Sequence, residues 1–142
     1  PRMNLEPTAK AFTIPVRVYY EDTDAGGVVY YANYLRFFER CRTEWMRFAG
    51  YDQSALATEA GIGFVARKAS CEYLRPARLD DELTIALEVE KLTRVRVIFR
   101  QQARRADQVL VTGTVEIACV NMSTMTPSPI PDFLYSKLEA LK

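Results

Sequence analysis

The chain reads as an α+β fold in which an antiparallel sheet covers one long apolar helix. Three features predict this: an alternating strand near the N-terminus, a helical stripe of large aromatics after it, and four further strand-like segments filling most of the remainder. With 142 residues, 49% of them hydrophobic, there is material for one compact core. The whole chain, 1–142, is therefore expected to be a single domain, with residues 1–10 as an N-terminal extension and 123–142 as a proline-rich segment and short helix.

The first strand is expected over residues 12–20, where Phe12, Ile14, Val16, Val18 and Tyr20 alternate with Thr13, Pro15, Arg17 and Tyr19. Pro15 has no N–H to give to a ladder, which predicts an edge position. A turn, "DTDAGG", follows. Tyr34, Phe37, Phe38, Cys41, Trp45, Phe48 and Ala49 then recur at helical spacing, with Asn33 as the expected N-cap and Gly50 just past the end. Residues 51–62 predict a short second helix or loop, closed by "GIG". Strands are expected at "FVARKASCEYL", at "ELTIALEVEKL" with Leu83, Ile85, Leu87 and Val89 on one face, at "RVRVIFRQQARR", and, after a turn at "RADQ", at "VLVTGTVEIACV". The last three form an antiparallel meander. Pro127, Pro129 and Pro131 lead into an amphipathic tail, "DFLYSKLEALK". A sheet around one helix retains edges, and pairing along an edge predicts a dimer.

Composition narrows the chemistry. There is no histidine, which excludes Ser-His-Asp and Cys-His nucleophilic systems and HExxH zinc sites. Nucleotide-binding glycine loops of the GxxxxGK[ST] and GxGxxG kinds are also absent. Lys plus Arg number 19 against 18 Asp plus Glu, so no global charge argues for nucleic acid. The three cysteines, Cys41, Cys71 and Cys119, lie in apolar segments without CxxC spacing and read as buried thiols of a reducing compartment. "PRMNLEPTAK" lacks an apolar signal core and no stretch reaches membrane-helix length, predicting a cytoplasmic protein without membrane insertion.

Catalysis would then rest on carboxylates. Asp24 stands in a glycine-rich turn close to a helix N-terminus, where unpaired amides can polarise a carbonyl oxygen. Gly26 and Gly27 allow close approach of another group to the backbone. Asp24 could attack the carbonyl carbon or deprotonate a water that does. The same residues also suit a plain turn, with Asp side chains accepting from nearby amides. They match part of a calcium loop too, but its downstream acidic ligands are missing.

The stretch "VRVYYEDTDAGGVVYYANYLRFFERCRTEW", continued by "FVARKASCEYLRPARLDDEL" and the later strands, resembles the hot-dog-fold acyl-CoA thioesterases over residues 14 to 122. It is most similar to their Tol-Pal-associated (YbgC-like) branch, with hydroxybenzoyl-CoA thioesterases as more distant relatives. The resemblance implies a hot-dog fold, an antiparallel β-sheet wrapped around one long central helix, and acyl-CoA as substrate, with no separate cofactor because coenzyme A is part of the substrate. It implies Asp24 as nucleophile or general base and the Tyr31 backbone amide as the group that polarises the thioester carbonyl. Close members resemble "VVYHASY" where this chain has "VVYYANY", so Tyr31 stands at a histidine position. An amide role survives that change and an imidazole role does not.

A coenzyme A substrate needs cations for its phosphates. Arg67 and Lys68 on one strand, Arg94 and Arg96 on another, and the Gly27 backbone are the candidates, against a reading of the charges as a solvated strand face. Arg100, Arg104 and Arg105 read as solubilising, and Pro76 and Arg78 as structural. Glu39 and Glu44 on the helix rank below Asp24. The implied assembly is a homodimer or homotetramer. The competing reading is a non-catalytic binding or scaffold protein using the same groove for an acyl carrier protein or an envelope-associated partner.

Overall fold

A computed structural model of the chain describes residues 11–51 and 53–142, so the expected N-terminal extension lies outside the described residues. The elements run β1 (Phe12–Arg17), a 3-10 turn (Tyr20–Asp22), α1 (Asn33–Phe48), α2 (Gln53–Ala55) passing into a π-helical turn (Leu56–Ala60), β2 (Ile62–Tyr73), β3 (Glu82–Leu92), β4 (Arg96–Arg105), β5 (Gln108–Asn121), β6 (Thr126–Pro127) and α3 (Asp132–Leu141). They form a 6-stranded antiparallel sheet of order β1-β3-β4-β5-β2, with β6 added beside β5. This is the hot-dog arrangement, and β3-β4-β5 is the expected meander. β1 is an edge strand, as Pro15 predicts.

The alternation read from the sequence determines which side chains face the helix. Leu83, Ile85 and Leu87 of β3 and Val97, Phe99 and Ala103 of β4 are buried on the concave face. From α1, Tyr34, Phe37, Phe38, Cys41, Trp45 and Met46 meet them. Trp45 stands edge-on to Phe99 at 5.4 Å between ring centroids, and the Cys41 thiol donates to the Ile85 carbonyl at 3.6 Å. Where the Phe38 ring of α1 reaches β5 the sheet carries Gly113, because a Cβ there would stand 2.8 Å from Phe38 Cε2. A short polar chain is embedded in this interface: Arg42 Nη1 donates to Gln101 Oε1 at 2.9 Å, and Gln101 Nε2 donates to the Phe38 carbonyl at 3.0 Å.

Several expectations are corrected. The first strand ends at Arg17, since Val18 instead pairs with the loop before β3 (Val18 N–H to Asp81 O, 2.9 Å) and Asp22 Oδ2 accepts from Tyr19 N–H at 2.8 Å. Asn33 is not the N-cap: Ala32 precedes the helix, and Asn33 Nδ2 donates to the Asp22 carbonyl at 3.0 Å, tying the helix start to the preceding turn. Phe48 is exposed, in contact with Phe12 at the helix's far end. β2 begins two residues before the expected Phe64, directly after Gly61, whose φ is 67°. Arg105 is structural, donating to Asp81 Oδ2 at 2.8 Å and to Gln108 Oε1 at 2.8 Å. Gly50, with φ 97°, does close the helix as expected, its N–H donating to Arg47 O at 2.9 Å.

α1 lies across β1, β3 and β4. Beside it, over β5 and β2, an open groove of about 600 Å³ remains, with Met46, Phe64, Phe99 and Ile117 among its walls. No helix among the described residues is long and apolar enough to cross a membrane.

Candidate active site

The turn before α1 is a small hydrogen-bonded hairpin. Thr23 bridges to Val29, Asp24 N–H donates to Val28 O at 2.9 Å, and Gly27 N–H returns to Asp24 O at 3.0 Å. Gly27 holds φ at 79°, a conformation that favours glycine. Val28 bridges to Arg78 and Val29 N–H donates to Ala77 O at 2.9 Å, so the loop between β2 and β3 braces the hairpin from behind. Arg78 thus acts through its backbone, the structural role expected of it.

Asp24 is exposed on this braced turn. Its Oδ1 accepts from Gly26 N–H at 2.9 Å, while Oδ2 makes no hydrogen bond among the described residues. The turn-chemistry reading is therefore correct for one oxygen and leaves the other available. The nearby Tyr30 phenol is pushed above its ordinary value, chiefly by the Tyr31 hydroxyl beside it and in smaller part by the Asp24 charge. The Tyr30 and Tyr31 rings lie 4.8 Å apart.

The helix start faces the same region. Tyr30 N–H donates to Asp22 O, and the amides of Asn33, Tyr34 and Leu35 donate back to Tyr30, Tyr31 and Ala32. The Tyr31 and Ala32 amides, in the turn just before α1, have no backbone acceptor among the described residues. A carboxylate and the unpaired Tyr31 and Ala32 amides just ahead of α1 are thus presented by one short segment, a combination suited to attack on a polarised carbonyl.

Beyond Tyr31 opens a cavity of about 280 Å³ lined by Val29, Tyr31, Tyr34, Tyr73, Leu74, Arg75 and Pro76. The Tyr31 and Tyr34 rings each stand 5.9 Å from that of Tyr73. Burial pushes the Tyr73 phenol up to about 12, with Cys71, Tyr31 and Tyr34 adding to the shift. Tyr34 was read from the sequence as core only, and neither Tyr73 nor Arg75 was singled out. These residues come from two segments far apart in the chain, and the signal available for Arg75 was its place beside Pro76 in "LRPARL".

The four candidate phosphate-binding side chains are not brought to Asp24 within the chain. Arg94 and Arg96 sit at the β3–β4 hairpin, the opposite end of β3 from the loop that braces the turn. Arg94 is paired with Asp132 and stacks 4.4 Å from the Tyr135 ring, and Arg96 lies 3.5 Å from Glu116. Arg67 is 3.8 Å from Glu116. Lys68 lies with Glu90 and Glu116 along a separate depression on the sheet. Glu44 is paired with Arg47, and Glu39 faces the large groove beside α1.

With this geometry established, likeness to known proteins becomes informative. Residues 18–138 match the family model of the Thioesterase-like superfamily. The chain is 42% identical over 131 residues to "Acyl-CoA thioesterase YbgC" of Haemophilus influenzae, covering 92% of this chain and 96% of that one. It is 43% identical over 129 residues to "Acyl-CoA thioester hydrolase YbgC" of Escherichia coli O157:H7, covering 90% and 96%. Among solved structures, a probable thioesterase from Bartonella henselae superposes with a TM-score of 0.82 at 38% identity, covering 85% of this chain and 99% of that one. With a braced hairpin ahead of the helix, a curled sheet around that helix and a match over most of its length, the chain belongs to the Thioesterase-like superfamily.

Proposed function

We propose that this chain is an acyl-CoA thioesterase that hydrolyses the thioester to a free acid and coenzyme A, with Asp24 as its catalytic carboxylate. The observation that carries the reading is the exposed Asp24, its Oδ1 fixed by Gly26 N–H, on the turn that leads into the unpaired Tyr31 and Ala32 amides ahead of α1. The Tyr31 amide donates to the thioester oxygen as negative charge builds on it. Asp24 either attacks the carbonyl carbon, giving a mixed anhydride that water then opens, or takes a proton from the water that attacks. In both routes the C–S bond breaks and the departing thiolate takes up a proton. The likeness to named acyl-CoA thioesterases supports the substrate class.

The active form we propose is a homodimer or dimer of dimers. β2 is an edge strand whose outer backbone groups a second copy's β2 would pair, and half-buried Phe64 on that strand lines the groove beside α1. Arg67 and Lys68 lie on that edge strand, so a dimer joined along β2 carries the cations of one copy towards the other.

Free-thiol release from a panel of short-chain, long-chain and aromatic acyl-CoAs tests the reading, with Asp24→Asn as the control. Turnover by the wild type that falls about 100-fold in the variant supports it. Undiminished turnover in the variant removes Asp24 from the mechanism.

A further inference from the structure

Among the described residues that line the cavity of about 280 Å³ beside Tyr31, Arg75 is the only cation and there is no acid. Its side chain is exposed, and its guanidinium enters no hydrogen bond or ion pair with a described residue. Asp81, an acid of the same loop, is engaged instead by Arg105 Nη1 and by Arg78 N–H. The backbone under Arg75 is fixed: Leu74 N–H and Arg75 N–H both donate to Leu110 O, at 2.8 and 3.1 Å, and Arg105 Nη1 donates to the Pro76 carbonyl at 3.3 Å. The Pro76 ring restricts the chain further. A guanidinium is thus held at one place on the cavity wall with its donors unspent.

Tyr31, whose amide receives the thioester oxygen in the mechanism above, lines the same cavity. An acyl group lying there starts at Tyr31, runs along the Tyr31 and Tyr73 rings and ends at Arg75. The space suffices for an aromatic or short aliphatic group, since about 150 Å³ accommodates a benzene molecule. The Tyr73 phenol, pushed up to about 12, stays uncharged at neutral pH and does not compete for the cation. Coenzyme A is a poorer partner for Arg75, because the long pantetheine arm carries its phosphates well away from the thioester, whereas Arg75 and Tyr31 share one small cavity.

We propose that Arg75 is a specificity determinant that binds a carboxylate at the far end of the acyl group, so that thioesters of dicarboxylic acids are favoured substrates. The proposal rests on the thioesterase reading for its substrate and adds an acyl class to it. A guanidinium meets a carboxylate through two parallel N–H···O bonds, each stronger than a bond between neutral groups. An acyl group that ends in a methyl forgoes both, while the apolar walls treat the two kinds alike.

The test uses pairs of equal carbon number: 4-carboxybenzoyl-CoA against 4-methylbenzoyl-CoA, and adipoyl-CoA against hexanoyl-CoA. Wild-type kcat/KM favours the carboxylate member by roughly 10-fold, and by less at high salt because the guanidinium is open to solvent. Arg75→Gln brings the ratio to one or below, and Arg75→Lys restores part of it. Preference in one pair alone that Arg75→Gln abolishes supports the site and names the acyl shape. A wild-type ratio at or below one in both pairs overturns the proposal, as does a ratio unchanged in Arg75→Gln. An equal fall for both members in that variant also overturns it, since lost contact with coenzyme A lowers both alike. Calorimetric binding of the corresponding non-hydrolysable thioethers reads the same ratios without turnover. Absence of thiol release from every substrate overturns the thioesterase reading, while equal binding of the paired thioethers overturns the role of Arg75.

Discussion

Gly26 N–H donates to Asp24 Oδ1 at 2.9 Å, and a Cβ on residue 26 would stand 3.3 Å from that same oxygen. The glycine lets the amide approach closely enough to hold an exposed carboxylate in one orientation, so less ordering remains when substrate arrives. Asp24→Asn is expected to lower kcat/KM by about 100-fold or more with an unchanged circular dichroism spectrum. Gly26→Ala, which crowds the carboxylate without removing it, is expected to give a smaller loss in the same thiol-release assay.

The proposed role of residue 31 belongs to its backbone. Tyr31→His keeps the amide and should retain turnover, with any change confined to preference among acyl groups. Tyr31→Pro removes the amide at a place near the helix start where proline is tolerated, and should lower kcat by roughly 100-fold or more. Equal kcat for the proline and histidine variants in folded protein would remove the amide from the mechanism.

Gly113 lies beneath α1 with Phe38 Cε2, the Ser70 carbonyl oxygen and Cys71 Sγ all within 3.4 Å of where a Cβ would sit. Two of these neighbours are a packed ring and a backbone atom, which yield little. Gly113→Ala should therefore cost ~1–3 kcal/mol in chemical denaturation. Gly63→Ala provides the contrast: its closest neighbours belong to the flexible Met122 side chain, which can swing aside, so its cost should be smaller.

Asp81 accepts from Arg78 N–H at 2.9 Å and from Arg105 Nη1 at 2.8 Å. Burial pushes its carboxyl up, but these partners outweigh it and hold the group below the ordinary 3.8. A depressed carboxyl contributes stability that is present above the unfolded value and lost as pH falls through the folded one. The stability gap between wild type and Asp81→Asn should accordingly be widest near neutrality and narrow below about pH 4, read from urea midpoints across the range.

Burial pushes the Cys41 thiol up to about 12 and that of Cys119 to about 11. At pH 8 about one Cys41 side chain in ten thousand is then thiolate, the form that reacts. Native protein should consume a disulfide reagent far more slowly than the same protein in urea. If the native thiols react as fast as the unfolded ones, their burial is not as described.

Strands were legible wherever one face is buried and the other wet. Leu83, Ile85, Leu87 and Val89 gave β3 its bounds, and Pro15 gave β1 its place at the sheet edge. Helical periodicity located α1, but it could not show that the helix runs past the sheet and leaves Phe48 outside. Asp24 stood out because two glycines and a helix start follow it within a few residues. The tyrosine cavity did not, because Tyr34 and Tyr73 become neighbours only through the curl of the sheet. Arg94 and Arg96 likewise offered no sign of which end of the strand pair lies near the turn, and the fold puts both at the far one, Arg94 in the β3–β4 hairpin and Arg96 at the start of β4.

The two outer strands of the sheet are not equivalent, and this bears on how many copies can join. Growth into a fibre needs the β2 edge of one molecule to add to the β1 edge of the next, indefinitely. Pro15 withdraws a donor from β1 and spoils that edge as a template, leaving β2 as the competent one. In the dimer proposed above, like pairs with like about a two-fold axis, which uses both competent edges at once, so sheet extension would stop at two chains.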